Sequence, residues 1–195
     1  MQKSGRDKFN KIRPLLMFLS KLISFLPLKL KKFLFNLFKG LGGNLGIVLR
    51  YILLKGIAKK CGDNVSVHQN VYLLSPENME LGKNISIHPM CYLDATGGLV
   101  IGDEVSLAHG VTVMSTTHSY EDMDVPIKYQ PISLKKTILK NNIWVGAKST
   151  VLAGVIINDG VVVGASSVVT KIINKNFIVV GSPAKVLKKR RAVYK

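Results

Sequence analysis

The sequence predicts a main domain of β-structure only, a parallel β-helix of six-residue repeats, preceded by an α-helical segment. Between residues 61 and 180, Leu, Ile or Val recurs every six positions, and glycine often follows it. Near-copies of one coil start at Cys61, Leu81 and Ile101, twenty residues apart. The first 60 residues lack this repeat and mix apolar runs with lysines. Such internal periodicity is the signature of a solenoid.

The six-residue period has a direct structural interpretation. Side chains alternate along a strand, so positions one and five of each six are expected to point inward. Three sixes make one triangular coil, and stacked coils bury a continuous aliphatic column. The glycines at position two indicate corners where φ is positive or where space is tight. These glycines are Gly62, Gly82, Gly102, Gly146 and Gly164.

The charge of the chain is concentrated at its N-terminal end. The net charge is +17, and residues 1–60 hold 14 Lys and Arg against one acid, Asp7. Because these bases alternate with Phe, Leu and Ile, they favour a membrane surface over nucleic acid as the partner. We expect Pro14 and Pro27 to divide the segment into short helices. The alternative is that these helices pack on their own domain or on a neighbouring subunit.

Targeting and metal signals are weak. No uncharged apolar run reaches the roughly 18 residues of a spanning helix, and no signal-peptide cleavage site is evident. We therefore expect a cytoplasmic protein, peripheral on the inner face of the membrane. Cys61 and Cys91 are interpreted as small core residues. The spacing of His68, His88 and His109 does not fit a zinc site, so no metal is predicted.

The repeat stops between residues 116 and 138, in the segment "TTHSYEDMDVPIKYQPISLKKTI". This segment is predicted to be a loop that leaves one corner and carries His118. Long loops in compact repeats usually have a function. The predicted organisation is thus a basic amphipathic segment (1–60), a β-helix (61–180) with this insertion, and a basic tail (181–195).

Residues 101–188 resemble the hexapeptide-repeat O-acetyltransferases, which act on maltose, galactosides, nodulation factors and capsular or surface polysaccharides. The resemblance rests on "TTHSY", "NNIWVGAKSTVLAGV", "VGASSVVTK" and "VGSPAKVLKKR". It implies a left-handed parallel β-helix and a homotrimer with active sites between subunits. It also implies acetyl-CoA as the acetyl donor and a carbohydrate as the acceptor.

The resemblance also implies roles for individual residues. His118 corresponds to the general base, and an imidazole with a pKa near 6.5 suits proton removal from a sugar hydroxyl. The oxyanion or acyl site is implied at Gly146 and Ala147. The residues implied at the acceptor site are Trp144, His88 and Asp94, and His88 stands where sugar acetyltransferases carry an asparagine. The residues implied to bind the cofactor are Ala147, Ala165, Thr170, Lys171, Lys185 and Lys188.

The predicted function is transfer of acetyl from acetyl-CoA to a sugar hydroxyl of a surface polysaccharide or its lipid-linked precursor. One alternative is an N-acetyltransferase that acts on an amino sugar or a small amine, because the same base can deprotonate either nucleophile. A second alternative is a non-catalytic, membrane-associated β-helix. The presence of His118 and Trp144 beside a groove of small residues argues against this second alternative.

Overall fold

The structure, a computed structural model, describes residues 5–191, so the outermost four residues of both the predicted N-terminal segment and the predicted tail lie outside the described residues. Three α-helices come first: α1 (Gly5–Ser24), α2 (Leu28–Leu37) and α3 (Gly43–Ile57). Short β-strands then follow as far as residue 189, with 3-10 helices at Pro76–Asn78 and Ile127–Tyr129. The order of a helical segment before a β-domain is as predicted.

Three sheets, parallel except for one antiparallel pair formed by the last two strands, form the faces of a triangular β-helix, which confirms the predicted fold class. Face one consists of β1 (Lys60–Cys61), β4 (Met79–Leu81), β7 (Leu99–Ile101), β12 (Thr137–Leu139) and β15 (Ile156–Ile157). Face two consists of β2 (Val65–Val67), β5 (Ile85–Ile87), β8 (Ser106–Leu107), β13 (Trp144–Val145), β16 (Val162–Val163), β18 (Phe177–Val180) and β19 (Lys185–Lys189). Face three consists of β3 (Tyr72–Leu74), β6 (Tyr92–Asp94), β9 (Thr112–Val113), β14 (Thr150–Val151) and β17 (Val168–Val169).

Corners separate the faces and are named here in chain order. The first corner joins face one to face two, the second joins face two to face three, and the third leads from face three back to face one. Strands of consecutive coils pair in parallel, residue by residue, as Ile87 pairs with Leu107 and Val145 with Val163. The path of the chain therefore assigns every residue of the β-helix to a face or a corner.

The inward positions form the predicted aliphatic column. On face two, Val67, Ile87, Leu107, Val145 and Val163 are all fully buried. Burying one such side chain contributes about 1.5–3 kcal/mol, so the column is a major source of stability. The cysteines are free, and they lie at the core as predicted, with Cys91 buried and Cys61 half-buried.

The glycines at position two are required by space and not by φ. A Cβ on Gly146 would lie 2.5 Å from the nitrogen of Ala165 and 2.8 Å from the carbonyl carbon of Gly164 in the next coil. Positive φ instead occurs two residues later, at Lys148 (57°) and at Ser166 (56°). Close stacking of the coils thus explains the glycine pattern, and other residues adopt the left-handed backbone.

Helix α3 packs on the first coil of the β-helix, and Arg50 fixes this contact. Its buried guanidinium donates hydrogen bonds to the carbonyl oxygens of Val67 (2.8 Å), Phe38 (2.9 Å) and Leu41 (2.7 Å). One side chain therefore joins α3, the first coil and the chain after α2. Packing of the helices on their own domain, the alternative considered from the sequence, is confirmed for this helix.

Helix α1 runs alongside the first corner. Arg6 forms an ion pair with Glu104 at 2.8 Å, and Arg13 forms one with Asp63, two coils away, at 2.7 Å. Seven residues of helix span about 10.5 Å, close to the roughly 9.6 Å of two strand spacings, so helix and β-helix match in register.

The prolines behave differently from one another. Pro27 precedes α2, as predicted, but Pro14 lies inside α1, so the prediction that it ends a helix is wrong. Pro14 lies on the exposed side of α1, where water can reach the carbonyl that the proline leaves without a donor. Within residues 5–191, no helix is long and apolar enough to cross a membrane.

Candidate active site at the corners of the β-helix

The inserted segment begins and ends as a β-hairpin at the third corner. Strand β10 (Thr116–His118) pairs antiparallel with β11 (Ile132–Leu134), which places His118 opposite Ile132. The hairpin follows β9 and returns to β12, so it projects between face three and face one. The sequence predicted only a loop here, whereas the structure gives paired strands and an exposed His118 at the end of β10.

Asp94 anchors the base of this hairpin. Its carboxylate is buried and accepts hydrogen bonds from Thr116 Oγ1 (2.7 Å), the Thr96 N–H (2.8 Å) and the Ser115 N–H (3.3 Å). Burial alone would raise the pKa of Asp94, but these hydrogen bonds outweigh burial and hold the pKa below its usual value. Both carboxylate oxygens of Asp94 therefore accept hydrogen bonds within the fold. One of the donors, Thr116, is two residues before His118 on β10.

The second corner carries the small residues. Ala147 and Ala165 occupy the same position in consecutive coils, and the N–H of Ser166 donates to the carbonyl of Ala147 at 2.8 Å. The N–H of Gly146 is already used, since it donates to Val163 at 2.8 Å. Among the described residues, the N–H of Ala147 has no backbone acceptor. Ala147 is therefore the better placed of the two implied oxyanion donors.

Trp144 and His88 lie near that corner. Trp144 projects outward from face two with 52% of its surface exposed, between Ser106 and Val162 of the neighbouring strands. The His88 ring stacks on that of His68, with centroids 4.9 Å apart and planes 6° from parallel. Burial, with smaller effects of His88 and Arg50, lowers the pKa of His68. Between residues 5 and 191, no cluster of three or more His, Cys, Asp or Glu is arranged to hold a metal.

The basic residues lie at two places. Lys185 and Lys188 are exposed on β19, which pairs antiparallel with β18 at the edge of face two. The predicted tail therefore contributes a strand. Thr170 and Lys171 are also exposed, but they follow β17 at the third corner, on the same corner as the hairpin.

The implied site residues consequently fall into two groups on one chain. One group lies at the third corner and consists of His118, Asp94, Thr170 and Lys171. The other lies on face two or at the second corner and consists of Trp144, His88, Gly146, Ala147, Ala165, Lys185 and Lys188. In a three-sided coil, the third corner is the one opposite face two. The hairpin of a chain therefore projects away from that chain's own Trp144.

The site thus combines a triangular parallel β-helix, one projecting hairpin that carries His118, and small residues stacked at the second corner. No family model matches the chain. A protein of Escherichia coli named as the lipopolysaccharide biosynthesis O-acetyl transferase WbbJ is 39% identical over 66 residues, 34% of this chain and 34% of that protein. A protein of Mycobacterium tuberculosis named as an acetyltransferase is 37% identical over 89 residues, 46% of this chain and 30% of that protein. The matches thus span about a third of these relatives.

Solved structures extend the similarity over most of the chain. A maltose O-acetyltransferase from Clostridium difficile has a TM-score of 0.72 and 27% identity, covering 84% of this chain and 86% of that one. A galactoside acetyltransferase in complex with coenzyme A has a TM-score of 0.73 and 27% identity, covering 82% and 78%. The chain is thus similar in fold to hexapeptide-repeat acetyltransferases over most of its length.

Proposed function

We propose that this protein transfers the acetyl group of acetyl-CoA to a hydroxyl of a carbohydrate acceptor, with His118 as the general base. The observation that carries the proposal is the hairpin at the third corner, which interrupts a regular β-helix and presents His118 to solvent. The similar proteins named as maltose, galactoside and lipopolysaccharide acetyltransferases support a sugar hydroxyl as the acceptor.

The second corner fits the donor. Ala147 and Ala165 leave the backbone accessible to a thin pantetheine arm, and a larger side chain at either position would cover it. Lys185 and Lys188, both exposed, provide positive charge for the phosphates of coenzyme A. Acetyl-CoA, when bound, supplies a thioester carbonyl that is already activated for attack.

The residues of this chain then have distinct roles. His118 would take the proton from the acceptor hydroxyl as its oxygen attacks the thioester carbonyl, a contribution of about 10²–10⁴-fold in rate. The C–S bond would then break, and the proton would pass from His118 to the departing thiolate of coenzyme A. The Ala147 N–H donates a hydrogen bond to the oxyanion that develops on the carbonyl oxygen. Asp94 keeps the hairpin in position. Because the two groups lie on opposite sides of one chain, we infer a homotrimer in which His118 of one chain meets the second corner of the next.

The test is acetyl transfer by the full chain to free sugars, amino sugars and isolated glycolipids. We expect transfer to a sugar hydroxyl, and a His118→Ala variant with the same assembly and acetyl-CoA affinity but less than about a tenth of the turnover. Asp124→Ala, at an exposed position of the same insertion, is the matched control. Turnover retained in His118→Ala would refute the general base. Transfer to amino groups alone would replace the proposed reaction with N-acetylation.

We further propose that α1 and α2 hold the protein on an anionic membrane, where a lipid-linked acceptor is found. Each helix has a second apolar stripe opposite its packed side. On α1, Leu15, Phe18 and Leu22 are 51–60% exposed, and on α2, Phe33 and Leu37 are 61–62% exposed. The stripes are spaced three and four residues apart, as expected for one helix face.

Charge supports a membrane as the occupant of this surface. Within the described part of the chain, Lys21 and Lys29 have no carboxylate partner and remain available to anionic lipid. Each such base near an anionic surface contributes about 1 kcal/mol. Apolar side chains that enter the interface would add the hydrophobic contribution.

Vesicle flotation tests the membrane proposal. The full chain should float with phosphatidylglycerol-containing vesicles, less so with phosphatidylcholine alone, and less so at high salt. A Phe18→Ser/Phe33→Ser variant should lose flotation. Met123→Ser removes an exposed apolar side chain of the insertion and is the control. Equal flotation of the Phe18/Phe33 variant and the wild type would exclude these helices as the membrane-binding surface.

A further inference from the structure

A cleft of about 950 Å³ lies between face two and the helices α1 and α3. Its floor is made of outward serines, Ser66 on β2 and Ser86 on β5, which are paired neighbours in the sheet. The row continues through Ser106, which pairs with Ser86 on one side and with Trp144 on the other. We call the channel over Ser66, Ser86 and Ser106 the serine trough.

The row of serines is aligned with Trp144, which lies three residues before Ala147 of the proposed reaction centre. Strands lie about 4.8 Å apart, so Ser86 is about 10 Å and Ser66 about 14 Å from Trp144 along the sheet. Serine is the smallest side chain that still offers a hydroxyl, whereas Trp144 stands up from the same row and ends the depression. The trough therefore extends away from Trp144, towards the helical end of the molecule.

Its two sides and roof differ in chemistry. Along the first corner runs a hydrogen-bonded row in which Asn64 donates to Asn84 (2.8 Å) and Asn84 donates to Glu104 (2.7 Å). On the opposite side stands His68, stacked on His88. The helices provide a roof that is mainly apolar, with Phe9, Ile12, Leu16, Ile47 and Val48, and that also includes Arg6, Asp7 and Asn44. The hydroxyl, amide and imidazole groups of the β-helix thus face mainly apolar helix side chains across the cleft.

This combination selects a type of ligand. Ser66 Oγ already lies within hydrogen-bond distance of the Ile85 carbonyl (3.3 Å) and of Ser86 Oγ (3.4 Å). A lipid chain would still leave the Ser86 hydroxyl proton and the His68 imidazole facing hydrocarbon, which is unfavourable. A sugar nucleotide would need cations, but Arg6, the one Lys or Arg among the described lining residues, is already paired with Glu104 at 2.8 Å. A neutral sugar satisfies both sides, since its hydroxyls meet the floor and its C–H face meets the roof.

We propose that the serine trough binds the neutral sugar residues next to the acetylated one, so that the acceptor is an oligosaccharide and not a free monosaccharide. This inference rests on the proposed function, which places acetyl transfer at Ala147 of the second corner, three residues after Trp144. The volume of the cleft lies within the range of about 300–1,000 Å³ typical of ligand sites. His68, neutral at pH 7 because burial lowers its pKa, can both donate and accept hydrogen bonds there.

The test uses immobilised neutral oligosaccharides of increasing length, with monosaccharides and sugar nucleotides on the same surface. The full-length wild-type chain should bind at least one oligosaccharide and bind it more tightly than its component monosaccharides. Ser86→Trp, which fills the trough, should weaken this binding by at least about tenfold. Ser86→Leu, a smaller change, should weaken it less. Thr112→Trp makes a comparable change on face three, and should leave binding intact.

The outcomes separate the inference from the function on which it rests. Failure of the wild type to bind any oligosaccharide would refute the proposal that the serine trough binds sugar. Equal binding by a folded Ser86→Trp variant would also refute it. Thermal melts of all variants establish folding, and Ser86→Leu decides the matter if Ser86→Trp does not fold. Acetyl transfer is measured on the same samples: oligosaccharide binding without any acetyl transfer would refute the proposed function and leave the trough standing.

Discussion

Replacing Asp94 with asparagine tests whether this carboxylate holds the His118 hairpin in place. Oδ2 accepts hydrogen bonds from Thr116 Oγ1 (2.7 Å) and the Ser115 N–H (3.3 Å), and Oδ1 accepts one from the Thr96 N–H (2.8 Å). An asparagine has one oxygen, so its NH₂ group must face at least one of these donors in a buried site. An unpaired buried donor costs about 2 kcal/mol, which for a chain of this size lowers the Tm by about 4–8 °C.

Calorimetry and kinetics together distinguish an anchor from an acceptor contact, the role that the family resemblance implies. As an anchor, Asp94→Asn should lower both the Tm and kcat, because the base is less well positioned, while the KM for acceptor changes little. Asp124→Asn makes the same chemical change at an exposed position of the insertion and should leave all three unchanged. An unchanged Tm with a raised KM for acceptor would refute the anchoring role.

The pH dependence of stability should follow the same carboxylate. The fold holds the pKa of Asp94 below its value in the unfolded chain, so the carboxylate stabilises the protein above the unfolded pKa. This contribution is lost as the pH falls through the folded-state pKa. The Tm difference between the wild type and Asp94→Asn should therefore be full at neutral pH and disappear in acid.

Three further experiments probe the scaffold. Arg50→Met should lower the free energy of unfolding by about 3 kcal/mol in urea titrations, because the buried carbonyls that Arg50 serves lose a charged donor. Gly146→Ala should cost about 1–3 kcal/mol, since its Cβ would meet the next coil at 2.5 Å, whereas Ala147→Gly should cost less. Burial raises the pKa of Cys61 to about 12 and that of Cys91 to about 11, so both should react with a thiol reagent at pH 8 far more slowly in the native than in the urea-unfolded chain.

The β-helix could be predicted because its determinants are local and repeated. Each six-residue repeat places an aliphatic residue at the same position of a strand, and the pattern recurs in many repeats. Val145 and Val163 illustrate this: both start a six in the sequence, and both are buried and paired in the structure. The role of the glycines was less certain from sequence, because a tight contact and a positive φ favour the same residue.

The arrangement of the site depends on contacts between distant residues, which the period alone does not reveal. Asp94 and Thr116 are 22 residues apart, and their hydrogen bond requires that both stand at the third corner of consecutive coils. A signal was present, since counting faces in threes assigns His118 to that corner and Trp144 to face two. Residue types indicated the chemistry, whereas this count indicates that the two residues point in different directions.

The helical segment was the least predictable part. Pro14 suggested a break, but α1 continues through it. Ion pairs from Arg6 and Arg13 fix the half before Pro14 to the first corner, and the half after Pro14 packs inward through Leu16. Packing on the domain and an exposed apolar stripe occur together on α1. Leu16 packs inward at 3% exposure, and Leu15 and Phe18 remain outside. To predict which side of such a helix packs and which apolar stripe stays exposed, one must know the surface against which the helix packs.

Two inactive variants should restore activity to each other if the site lies between chains. His118→Ala keeps an intact second corner, and Ala165→Tyr, which blocks that corner, keeps an intact His118. Co-expression with two different tags and purification on both tags isolates mixed assemblies. In a closed ring of three that contains both variants, one junction brings a functional His118 to a functional corner, so activity should be about one third of the wild type. If His118 served the second corner of its own chain, no junction would be complete, and mixed assemblies as inactive as either variant alone would refute the site between chains.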